Sequence, residues 1–252
     1  MMQLMKHTIR WSWKSLLGSA LLTSALLINV MPVDAMLVRS FKPPKGQGAP
    51  RATASGGSRM PNSCMTPAMR RSNLTALAPT KFMGLTILDR PTMWVYIPET
   101  TAKTLEFSLF EETPGGLEGV YQFNMPVPGN ARLVSLTLPD AAPQLSLGKP
   151  YYWTVALVCN PKTRTDDWLV GGWIQRQAPP EKLKRQLQGA NEEQQMSLFS
   201  EQGFWYETVD RLIRLRRSQP NNLVLRTAWS ELFEIGGLEG VGEPSLITRM
   251  KP

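Results

Sequence analysis

The chain has 252 residues, enough for one large or two small domains with a buried core, and a formal charge of +8. Its sole histidine, His7, falls in a segment expected to be removed, which excludes His-based triads, His-ligated zinc and His general bases from the mature protein. The charge loses its nucleic-acid meaning once placed along the chain: residues 36–81 hold eight basic residues and no acid, leaving 17 basic against 19 acidic residues from Phe82 onward.

Lys6, Arg10 and Lys14 precede a run of 16 uncharged residues from Ser15 to Val30, and Val33-Asp34-Ala35 offers the small-x-Ala pattern that signal peptidase cuts. Residues 1–35 are therefore expected to be a signal peptide, with Met36 as the mature N-terminus. A retained anchor is the alternative, although the run is short of the ~20 residues that span a bilayer. No later segment is apolar enough to hold the protein in a membrane. Export places the protein in the periplasm, outer envelope or extracellular space.

Residues 36–80 are rich in Pro, Gly, Ser, Arg and Ala without apolar periodicity, so most of this basic arm is expected to be disordered. In an exported protein it would meet anionic envelope polymer rather than nucleic acid; a solubilising tail is the plainer alternative. Apolar residues return from about Asn73, and LTALAPTKF can dock as an edge strand. Cys64 in the arm and Cys159 are the only cysteines, so export leaves one intramolecular bridge to form; a cytosolic chain would keep them as buried thiols.

Residues 81–178 read as short strands with turn punctuation and no intervening helix. Gly84 to Thr86, Met93 to Ile97, Thr104 to Glu111, Leu117 to Met125 and Arg132 to Leu138 are followed by the clearest alternation in the chain. There Tyr151, Trp153, Val155, Leu157 and Cys159 share one face, against Tyr152, Thr154, Ala156 and Val158. Leu147-Gly148-x-x-Tyr151-x-Trp153 is similar to the entry of the sixth strand of an immunoglobulin or fibronectin type III sandwich, where the tyrosine hydroxyl bonds back to the corner. The last strand, Trp168 to Gln175, carries the pair Gly171-Gly172, which predicts a bulge. The expected fold is mainly β: an antiparallel immunoglobulin-like sandwich.

After Pro179-Pro180 the pattern turns helical over residues 179–238. Helices are predicted from Glu181 to Gln188, from a capping box at Asn191 and Gln194 up to Gly203, from Phe204 to Ser218, and from about Asn222 to Glu234, with residues 239–252 as a flexible tail. On the third, Trp205, Val209, Leu212 and Leu215 or Arg216 trace an apolar stripe, and Glu207/Arg211 and Asp210/Arg214 are spaced to pair on the wet side. Gly203-x-x-Tyr206 with Pro220 and Asn221 looks like part of a tetratricopeptide repeat in this helical appendix.

The candidate sites are few. Trp94 and Trp153 sit in alternating apolar runs and read as core, with Tyr151. Trp168 and Trp173 flank the glycine pair, and an exposed one could stack a sugar ring. Arg211, Arg214, Arg216 and Arg217 form the densest basic cluster of the folded part; a solvated helix face is the plain reading, a docking surface the functional one. Asp166-Asp167 reads as a solvated loop rather than a calcium or glycosidase site. No cofactor, metal site or catalytic residue is expected.

GGSRMPNSC, LTAL, GLTILDRPTMWVYIP, LGKPYYWTVALVCNP, VGGWIQR and GFWYETVDRLIRLRRSQPN occur in one order from Gly56 onward. Together they resemble the cyanobacterial exported family known as domain of unknown function 928. The resemblance implies export and the Cys64–Cys159 bridge, and no activity. The function expected is a non-enzymatic binding or assembly module of the cell envelope, its partner an envelope protein or anionic polymer, with no nucleic acid and no membrane span after leader cleavage. A carbohydrate-binding domain using Trp168 or Trp173 is the alternative, and a carboxylate-based hydrolase a remoter one.

Overall fold

A computed structural model describes residues 41–45, 64, 73–127, 130 and 132–238. The expected leader, most of the arm and the tail lie outside the described residues. Eight strands come first: β1 (Thr75–Ala76), β2 (Gly84–Thr86), β3 (Thr92–Ile97), β4 (Thr104–Thr113), β5 (Gly116–Pro126), β6 (Arg132–Thr137), β7 (Pro150–Val158) and β8 (Trp168–Arg176). Four helices follow: α1 (Glu181–Leu187), α2 (Glu192–Glu201), α3 (Trp205–Ser218) and α4 (Leu223–Gly236).

The strands form a three-stranded sheet in the order β1-β3-β6 and a five-stranded sheet in the order β2-β8-β7-β4-β5. All pairs are antiparallel except β2 with β8, which is parallel, so the larger sheet is mixed rather than purely antiparallel. β4 follows its alternation: Leu105, Phe107 and Leu109 are buried while their neighbours are partly exposed. β7 is central and buried on both faces, so there the alternation separates two buried faces. Its entry is held as the sequence predicts: the Tyr151 hydroxyl accepts a hydrogen bond from the Ser146 N–H (3.2 Å).

The glycine pair of β8 makes no bulge, since the β7–β8 register runs without a shift from Pro150↔Gln175 to Leu157↔Trp168. The glycines are needed for contact instead. A Cβ on Gly171 would overlap the Trp153 carbonyl, and one on Gly172 would overlap Ala78 Cβ. The irregular register lies between Leu109 and Phe110, where β4 pairs with β5.

One core joins both sheets to the helices. Trp153, Phe107 and Ile97 share it with Trp205, Ile213, Trp229 and Phe233, so α3 and α4 complete the β core rather than hang from it as an appendix. Leu74, Leu77 and Ala78 are buried in the same core, so the folded region begins ahead of residue 81. Tyr206 rivets helix to sheet, its hydroxyl accepting from Trp153 Nε1 (2.8 Å) and donating to the Trp173 carbonyl (2.9 Å). Trp205 Nε1 donates to the Leu77 carbonyl (2.9 Å). The expected capping box starts α2. α4 ends at Gly237 in the left-handed region (φ 79°), and its last carbonyls accept from Thr80 and Lys81.

Candidate functional site

Most of the residues singled out in the sequence are structural joints. Trp168 is buried in the shared core, and Trp173 is 5% exposed, packed 5.1 Å from the Tyr152 ring on the other face of the sheet. Neither offers a ring plane to solvent, which is the surface the carbohydrate-binding alternative would need. Cys64 and Cys159 form the bridge, with Cα atoms 5.0 Å apart. The Cys64 carbonyl accepts from Thr100 Oγ1 (2.8 Å) and the Thr101 N–H (3.2 Å), and the Cys159 N–H donates to Asp167 (3.0 Å). Asp167 and Glu106 converge on the Arg164 guanidinium, which holds Glu106 below the usual carboxylate range. Asp167 therefore anchors a loop end.

Glu207 departs from its expected place. Instead of pairing with Arg211 on the wet side, it is buried; its Oε1 accepts from Thr86 Oγ1 (2.6 Å) and the Ile87 N–H (3.0 Å), while Oε2 has no partner among the described residues. Burial pushes its carboxyl up, against the lowering pull of those hydrogen bonds. The other expected pair forms, Arg214 meeting Asp210 at 2.8 Å.

Asp210 organises the basic cluster. It also takes Arg211 (3.6 Å) and accepts from Trp94 Nε1 (3.1 Å), and Arg211 donates in addition to Gln195. Arg217, about two turns beyond Asp210, makes no ion pair among the described residues; its guanidinium rests 4.7 Å from the centre of the Trp94 ring. Burial first, then the nearby Arg214 charge, lowers its pKa below the ordinary arginine value, with Asp210 opposing. Arg216, by contrast, is buried over Trp229.

Arg217 stands at a cleft of about 260 Å³ that no single motif announced. β5 and β6 are the terminal strands of their respective sheets, and the cleft lies between them. β3 and β4 supply Ile97 and Leu105, β5 Met125 and Pro126, and β6 Arg132, Leu133, Val134 and Ser135. Among the described residues the lining is thus apolar, with two guanidiniums and one hydroxyl and with no carboxylate, thiol or imidazole. Such a set can hold an apolar body and an anionic group; it lacks a base to activate Ser135. Among the described residues no cluster of three or more His, Cys, Asp or Glu could hold a metal ion.

No curated protein matches the chain. A family model described as Domain of Unknown Function (DUF928) matches residues 54–246. The match takes in both bridge cysteines, the Trp94–Arg217 stack and each of the described strands and helices, and on it the chain belongs to the DUF928 family.

Proposed function

We propose that this is an exported, non-catalytic binding module of the cell envelope, and that its ligand seat is the cleft between β5 and β6. The observation that carries the reading is the lining itself: buried Ile97, Leu105 and Leu133 beneath two arginines, without an acid–base or nucleophile set. The Cys64–Cys159 bridge supports an oxidising compartment, and the leader-like N-terminus supports export. In the same reading the sheets are of immunoglobulin type, with the Tyr151 corner as local support, α3 and α4 are repeat-like, and the basic arm adds salt-sensitive attraction to anionic polymer.

Two experiments test this. Residues 1–40 fused to a reporter enzyme that is active only outside the cytosol should give activity; a silent reporter would defeat export. The immobilised full chain, incubated with an envelope extract of its host, should retain a small apolar molecule that is lost when Met125→Trp fills the cleft. Equal retention by both chains, or turnover of the retained molecule, would defeat the binding reading.

A further inference from the structure

The cleft also carries information on the chemistry of its ligand, an inference that rests on the binding role proposed above. Arg132 and Arg217 line it, and neither forms an ion pair with a described residue: Arg132 Nε donates only to the Asn130 carbonyl (3.4 Å), and Arg217 lies against Trp94. Their neighbours Arg211 and Arg214 are both committed to Asp210. Two uncommitted guanidiniums beside an apolar recess form a complementary site for an anion attached to an apolar body, since the guanidinium fork matches a carboxylate in bidentate fashion. The size narrows the choice. At about 260 Å³ the recess falls below the usual ligand range of ~300–1,000 Å³, which suits one chain and excludes a two-chain lipid or a folded glycan.

We propose that the cleft binds a single acyl chain ending in a carboxylate, the chain lying against Leu105, Met125 and Leu133 and the carboxylate meeting Arg132 and Arg217. Isothermal titration of the full chain with decanoate, decanol and decyltrimethylammonium tests this. Decanoate should bind most tightly, the cation least, and the preference should shrink as salt is raised. Arg132→Gln with Arg217→Gln should weaken decanoate roughly tenfold or more while leaving decanol unchanged, because charge-assisted hydrogen bonds are lost and the apolar recess is kept. Met125→Trp should weaken both; the variants retain the apolar N-terminal segment, so binding there would not respond to them. Thermal unfolding of each variant checks that it is folded.

Equal binding of decanoate and decanol, insensitive to the arginine changes, would overturn the carboxylate assignment while leaving an apolar cleft. Decanoate binding indifferent to Met125→Trp, or no binding by any of the three probes, would overturn this assignment and the cleft together.

Discussion

Glu207 shows how one residue can invert the role that its spacing suggests. Its position four residues before Arg211 fits a solvent pair, yet Tyr206, Glu207 and Thr208 are all buried where α3 enters the fold, and the carboxyl meets Thr86 and the Ile87 N–H instead. Helical periodicity tells which residues share a face; it cannot tell that a second face of α3 meets β2. The consequence is a pH dependence of defined sign. With its native pKa raised above the unfolded value, Glu207 keeps its proton in the fold after the unfolded chain has lost it. Its contribution is complete below the ordinary glutamate range and is lost as pH rises through the raised native pKa. Glu207→Gln, which keeps an oxygen for Thr86 and Ile87, should flatten that loss. Urea unfolding from pH 4 to 8 should show wild type falling relative to the variant as pH rises; parallel curves would mean that the carboxyl is ionised in the native state.

At the scale of elements, the strands were legible because β-branched and aromatic residues alternate between clear stops. Among the described residues, the eight strands and four α-helices lie where the sequence pattern places them, including the two-residue β1 at the end of the arm. What periodicity could not supply was the neighbour of each element. Gly171-Gly172 reads locally as a bulge, but its cause is lateral: β8 lies so close to Ala78 and to the Trp153 backbone that no Cβ fits. Gly172→Ala should therefore cost about 1–3 kcal/mol through overpacking, beyond any gain in strand propensity. Denaturant unfolding measures it, and pairing the change with Ala78→Gly should recover part of the loss if the clash is the cause. The cleft was hidden for the same reason. Arg132 and Met125 are ordinary strand residues until the sheet order makes β6 and β5 terminal. Arg217 was visible only as part of a basic cluster; its separation from Asp210 and its place over Trp94 come from packing of α3 on β3.

For the whole molecule, several joints far apart in the sequence have a common physical meaning. Arg90 holds the carbonyls of Pro139, Asp140 and Ala142, Arg176 Nη1 holds that of Leu145, and Cys159 ties the end of β7 to Cys64. They fix loops onto a single core built from sheets and helices, so they report on the fold, while the cleft lies beside them. The bridge acts on the largest scale of all, joining residues 95 apart in sequence. Chain entropy alone gives a closure of that length about 4–5 kcal/mol, and measured gains run nearer 2–4 kcal/mol. Replacing both cysteines by serine leaves Cys159's neighbour Asp167 and the Thr100–Thr101 contacts able to form, so the native fold should persist with lower stability. The double variant should lose about 2–4 kcal/mol in urea unfolding and show a steeper denaturant dependence, because its unfolded chain exposes more surface. A reductant should bring wild type down to the same midpoint and leave the variant unmoved. A reductant effect on the variant, or none on wild type, would show that the bridge does not carry this part of the stability.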